Sequence, residues 1–416
     1  MKKGIVNLDQ VLLGFKVASK QLLCRFESEA SNQQVAGLAA LSVLYKICPN
    51  LVSLRELDAL TEKTLSLQHP EGWFNEYGGP DLGYLSVTID CLWDAFDSTA
   101  DIRLLESAQK ALVFLDNMTY HTGGTSIGMH NSRNTDYIVP YGITRFIDSE
   151  VESNIQKRAL RVLKNVFSQS ACNRHFFSSV DDRYWCHYIG LSVFRSISEF
   201  HKIAPYSSYN SNPNNINPCL SFSSSRYIWH SLSHKHAKIL ISTKKGGIFT
   251  IFSNNICMSD YGWIVQSRGK TFVSHWWSDD WNNKSNGDFC EVSGHLFSHS
   301  EIHSNPIYHF LLRIGSFFVG KRLISFLKKR LIFKKKQQTI SFKRLITFSH
   351  DLVEVKDTFK DHPHDFVFYS APRPSKRHVA SADCFHIEDL ALAKLKTERQ
   401  VHKKGKNTII LTKYYI

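Results

Sequence analysis

The amino-acid sequence predicts an α+β chain of two domains, stacked helical hairpins followed by an antiparallel β-sandwich. Three observations carry this. Across residues 5–203 apolar side chains recur at three- and four-residue spacing, the mark of amphipathic helices. Residues 205–225, PYSSYNSNPNNINPCLSFSSS, are rich in Ser, Asn and Pro and carry no charge, which marks a linker. Beyond them the apolar period falls to two. Helices first and strands afterwards give two successive domains, 1–204 and 226–416, instead of a βαβ alternation.

The helical segments are VLLGFKVASKQLLCRF, NQQVAGLAALSVLYKI, LRELDALTEKTLSL, LSVTIDCLWDAF, IRLLESAQKALVFLDNM, ESNIQKRALRVLKNVFSQ and RYWCHYIGLSVFRSISEF. Short connectors with Pro, Gly, Asn or Asp separate them, as in helical hairpins. In the second half AKILISTKKGGIFTIFS places a Gly-Gly turn between two alternating runs. WIVQSRGKTFVSHWW, ISFKRLITFSH, LVEVKDTF, DFVFYS and NTIILTKYY supply further strands. One stretch departs from the pattern. NPIYHFLLRIGSFFVGKRLISFLKKRLIFKKK is apolar and then basic, with eight Lys or Arg among residues 321–336. Gly315 and Gly320 weaken a continuous helix, so a strand-and-loop insertion with solvated lysines is expected. The alternative is a basic amphipathic segment making peripheral membrane contact through 321–336.

Composition narrows the partners. A formal charge of +14 suits an acidic polysaccharide, a nucleic acid or a membrane surface. Nucleic acid ranks last, because the basic run lacks interleaved stacking aromatics. Nine scattered cysteines without a CxxC pair point to reduced thiols, neither a disulfide framework nor a zinc site. No signal peptide is read in MKKGIVNLDQVLLGF and no run of 18 apolar residues occurs. The expected location is cytoplasmic, or periplasmic if the N-terminus is truncated.

Three stretches of the helical half could carry chemistry. The first is SNQQVAG, where Asn32 and Gln33 open an apolar helix and Ser31 or Asn32 could be its N-cap. The second is QHPEGWFNEYGGPDLGYLSV. Its glycines permit turns closed to other residues, Glu76 and Asp81 add carboxylates, and Trp73, Phe74, Tyr77 and Tyr84 add flat faces for a sugar. The bland alternative is a structured loop whose aromatics plug the end of a helical bundle. The third, TGGTSIGMHNSRNTDYIVPYG, gathers His130, Asn131, Arg133, Asn134, Asp136 and Tyr137. Arg133 suits a carboxylate, since a guanidinium forms two parallel hydrogen bonds. A buried polar network is the alternative there. Three such loops on one helical domain point to a shared cleft.

His234 with His236, or His295 with His299 and His303, share strand faces, yet nothing completes a ligand set. Neither metal nor cofactor is expected. The GxGxxG and Walker patterns are absent, which argues against a nucleotide enzyme.

The stretch EGWFNEYGGPDLGYLSVTIDCL, with a helical domain before a β domain, resembles the heparinase II/III-like polysaccharide lyases. The resemblance implies an (α/α) toroid followed by a β-sandwich, and β-elimination on a uronate-containing glycan. About seven helical segments against the twelve of a six-hairpin toroid make the expected toroid incomplete. Carried over by motif, Asn32 neutralises the uronate and Tyr84 moves the proton. Arg133 joins them on its own chemistry. Gln33, Trp73, Glu76, Tyr77, Asp81, His130, Asn134 and Tyr137 are then expected to line the substrate. The resemblance often brings an Asn-His pair, whereas this chain has Asn32-Gln33, and glutamine is no base near neutral pH. A non-catalytic glycan-binding protein of surface-polysaccharide or capsule assembly is the competing expectation.

Overall fold

The computed structural model describes residues 8–119, 128–133, 135, 137–148, 150–167, 189–200, 224–232, 237–253, 256–267, 269–299, 306–319, 337–349, 352–363, 365–371 and 395–416. The chain divides into two compact units, Met1–Ser224 with Ser375–Leu392, and Ser225–Pro374 with Ala393–Ile416. The first is helical where described and the second is dominated by antiparallel sheet. Most of the expected linker, 205–223, lies outside the described residues.

The first unit contains α1 (Leu8–Cys24), α2 (Ser31–Ile47), α3 (Leu54–Leu65), α4 (Leu82–Thr99), α5 (Ile102–Thr119), α6 (Tyr141–Asp148), α7 (Ser153–Phe167) and α8 (Gly190–Phe200). Local chemistry sets several boundaries. Ser53 and Glu56 form a reciprocal capping box at the start of α3, the Ser53 hydroxyl accepting from Glu56 N at 3.2 Å. Asp81 caps α4 by accepting from Tyr84 N at 3.1 Å, and Ala100 ends that helix in the left-handed region at φ 56°. Helix α4 is the hub, packing on α2, α5 and α6. Leu85, Ile89, Leu92 and Trp93, at three- and four-residue spacing, are its buried stripe. Between α5 and α7 the buried Asp116 carboxylate takes hydrogen bonds from Arg158 (2.8 Å) and Arg161 Nε (2.7 Å).

Helix α6 lies within a stretch expected to be loop. Its eight residues are too few to show a helical period, and the packing of Ile143, Phe146 and Ile147 decides it.

In the second unit β1 (Tyr227–Ser231), β2 (Lys238–Ser242), β3 (Ile248–Ser253) and β4 (Ile256–Asp260) make a four-stranded sheet in sequence order. The larger sheet contains β5 (Trp263–Ser267), β6 (Lys270–Val273), β7 (Asn282–Ser285), β8 (Phe289–His299), β9 (Gln337–Phe348), β10 (Leu352–Lys360), β11 (Val367–Ser370), β12 (Lys396–Lys404) and β13 (Asn407–Tyr415). Its order is β11-β5-β6-β8-β9-β10-β13-β12, with β7 paired to β8, and every pairing is antiparallel. The sheets curl into a half-barrel. Side chains from both meet in one core that includes Ile241, Phe249, Trp263, Trp281, Val292, Phe342 and Phe359. The alternation expected along β10 and β13 buries every second residue. The Gly-Gly turn falls between β2 and β3, with Gly246 and Gly247 at φ 66° and 72°.

Three features of this unit differ from expectation. Strands β1, β4, β7 and β8 come from stretches without a clean two-residue period, completed by their pairing partners. Strand β12 is exposed along its whole length, so no apolar face announced it. Residues Pro306–Val319 form a helix, α9, running through Gly315, where a strand-and-loop insertion was expected.

Candidate functional site

Three segments of the helical unit meet: the entry to α2, the stretch before α4, and residues 128–133 with 135 and 137. Backbone bonds tie the first two. Ser31 N donates to Asn75 O (3.1 Å), Tyr77 N donates to Glu29 O (2.7 Å), and Ala30 bridges to Glu76. The third joins through Ser132, whose N–H donates to Pro80 O (2.9 Å) and whose hydroxyl donates to Glu76 O (2.8 Å). Thr135 completes the junction. Its N–H donates to Asp81 Oδ2 (3.2 Å), its hydroxyl donates to Asp81 Oδ1, and it accepts from Gly83 N (3.1 Å). A Cβ at position 83 would lie 2.3 Å from the Thr135 hydroxyl oxygen, so this closeness requires glycine.

Glu76 sits at the centre and is buried. Its Oε1 accepts from Asn32 N at 2.7 Å, while Oε2 and the buried Ser31 hydroxyl have no hydrogen-bond partner among the described residues. The N-cap of α2 is Ala30, which has no side chain to offer. Neither Ser31 nor Asn32 is therefore the cap. A carboxyl 44 residues away satisfies the exposed N–H instead. Burial pushes the Glu76 pKa well above the usual carboxylate range; the Asn32 N–H and Arg133 oppose this, and Asp81 reinforces it. The group is held toward its protonated form at the opening turn of a helix.

Tyr77 is a non-glycine residue in the left-handed region, at φ 56°. That conformation costs about 1–2 kcal/mol, and the bonds to Glu29 O and from Gly78 N to Asn75 Oδ1 (3.0 Å) hold it. The Arg133 guanidinium lies over the Tyr77 ring at 4.4 Å. Strain, cation and buried acid therefore coincide within a few residues.

The nominated residues separate by burial. Asn32, Tyr77, Tyr84 and Arg133 are half-buried and Gln33 is exposed. Asn32 Oδ1 accepts from Gln33 N at 2.9 Å. The Tyr84 ring meets Tyr137 edge-on, with centroids 6.2 Å apart. By contrast Trp73, Glu76, Asp81, His130 and Tyr137 are buried. Trp73 stacks on His69 with centroids 4.3 Å apart and donates to Glu71 (3.1 Å), so its face is covered by protein. Asp81 serves α4 and Thr135, and Tyr137 packs with Val139 and Ile189. Asn134, with Asp136, lies outside the described residues. Buried and half-buried aromatics thus occur in one stretch, Trp73 plugged against His69 while Tyr77 and Tyr84 keep part of their surface in solvent. Thr135 and Ser132, which were not nominated, hold the segments together. Their only sequence signal is a place in a polar, glycine-led loop.

Of the histidine sets, His295 and His299 are exposed on β8, and His234, His236 and His303 lie outside the described residues. Among the described residues no three His, Cys, Asp or Glu gather to hold a metal ion.

No protein-family model matches the chain, and no curated protein matches it in sequence. Function is therefore argued from the site itself.

Proposed function

We propose that the helical unit binds an acidic, uronate-containing glycan at the meeting of these three segments and cleaves it by β-elimination. One observation supports this above the others: Arg133, seated on the strained Tyr77, is grouped with Asn32 and with the buried Glu76, whose pKa burial raises. Removing the C5 proton of a uronate builds charge on its carboxylate, which must be neutralised as it develops. Arg133 and the Asn32 amide are the donors for that carboxylate. Tyr84, on the first turn of α4, takes the C5 proton in its phenolate form. The C5–H electrons form the C4–C5 double bond as the C4–O bond breaks, and the leaving oxygen takes up a proton. The Tyr84 phenol so formed supplies it. The architecture we favour is a shortened (α/α) toroid followed by a β-sandwich, as the heparinase II/III-like resemblance implies.

Glycan binding without turnover is the second reading, favoured by Gln33 where a histidine base would stand. One experiment separates the two. The protein is incubated with a panel of uronate polysaccharides, following absorbance of the unsaturated product and, separately, binding. Turnover abolished in Tyr84→Phe with binding retained supports the lyase. Binding lost in Arg133→Ala without turnover in any form supports the second reading. A folded protein that neither binds nor cleaves any acidic glycan overturns both.

A further inference from the structure

Helix α9, described over Pro306–Val319, precedes the most basic stretch of the sequence. Its Ile307, Phe310, Leu311, Ile314 and Phe317 follow the spacing i, i+3, i+4, i+7, i+10 and so lie along one side of the helix. All five are exposed, Phe310 by 63% and Phe317 by 85%, and exposed Arg313 flanks them. Scattered apolar residues on a surface are ordinary, but five in one stripe with two phenylalanines are not. In the sequence that follows, residues 321–336, which lie outside the described residues, add eight Lys or Arg and no Asp or Glu.

Charge selects among partners for this face. A second copy of the chain would bring two basic runs together on a protein already at +14, which repulsion opposes. An acidic glycan would satisfy the lysines and leave the phenylalanines in water. An anionic bilayer meets both needs, with acyl chains for the stripe and phosphate headgroups for the basic run. The fourteen described residues of α9 reach about 21 Å at 1.5 Å each, short of the roughly 30 Å hydrocarbon core. No described helix is long and apolar enough to cross a membrane.

We propose that α9 is a peripheral membrane anchor, lying in the interface of an anionic bilayer with its Phe310–Phe317 stripe in the acyl boundary. This is independent of the glycan reading, since it uses the other unit. The test is flotation of the full-length protein with vesicles of phosphatidylcholine alone or mixed with phosphatidylglycerol. The wild type is expected to float with the mixed vesicles, to remain behind with phosphatidylcholine alone, and to be released by raised salt. Replacing the exposed Phe310 and Phe317 by serine is expected to weaken partition by about tenfold or more while leaving the circular dichroism spectrum unchanged. Equal flotation of the variant, no flotation of the wild type, or equal binding to both vesicle types would overturn the proposal. So would a wild-type dimer that F310S/F317S converts to monomer, because the face would then be a protein interface.

Discussion

Asp90 provides a measurement of how the helical unit is held together. It is buried on α4, where Oδ1 accepts from Gly142 N of α6 (2.6 Å) and Oδ2 accepts from the Ser192 hydroxyl of α8 (2.6 Å). Ser192 in turn accepts from Tyr141 N at 3.0 Å. Burial raises the Asp90 pKa from 3.8 to about 7, against the lowering effect of Ser192, Gly142 and Arg195. The folded state therefore holds a proton that the unfolded chain releases, so this stability is present in acid and is lost as pH rises toward 7. A shift of about three units corresponds to about 4 kcal/mol, of which about 3 kcal/mol falls between about pH 5 and pH 8. Asp90→Asn keeps an oxygen for Gly142 N and cannot titrate. Urea unfolding followed by helical circular dichroism should show wild-type stability falling across this range relative to the variant. Parallel pH profiles for the two proteins would refute the reasoning, whatever their absolute stabilities.

Three further outcomes follow from the geometry. Glu76→Gln should keep the acceptor for Asn32 N and remove a stability loss at high pH, whereas Glu76→Ala should cost about 1–3 kcal/mol through the unsatisfied N–H; denaturation of both variants at two pH values checks it. Arg344 is fully buried, bonding Asp357 through Nε (2.8 Å) and Nη2 (2.9 Å) and Asp260 through Nη1 (3.0 Å). Arg344→Met removes the cation that both buried carboxylates share and should cost about 3–5 kcal/mol near neutral pH, by thermal or urea melting. Gly72 has φ 102°, and a Cβ there would sit 2.3 Å from Lys110 O, so Gly72→Ala should destabilise by about 3 kcal/mol and lower the melting temperature.

The division into helices and antiparallel strands was legible because it rests on period, which any buried face imposes on its own segment. Helices α2 to α5 and strands β10 and β13 show this directly. Helix α6 and strand β12 were not legible, since one is too short for a period and the other buries no face. At the candidate site, residue types betrayed the three loops, because clustered glycine, aromatic and acid are unusual between helices. They did not reveal which aromatics face solvent. Trp73 and Tyr77 are both aromatic and four residues apart, yet one is plugged against His69 and the other carries Arg133.

By itself the sequence determined the basic charge, the order of helical and β regions, and the glycine-rich stretches of the helical half. Tertiary structure alone decided that a carboxyl from residue 76 caps a helix starting at residue 31, and that Thr135 can approach position 83. The reason is physical. Periodicity and charge are properties of neighbours along the chain, whereas burial, and the upward pKa shift it imposes on Glu76, depends on groups that only folding brings together.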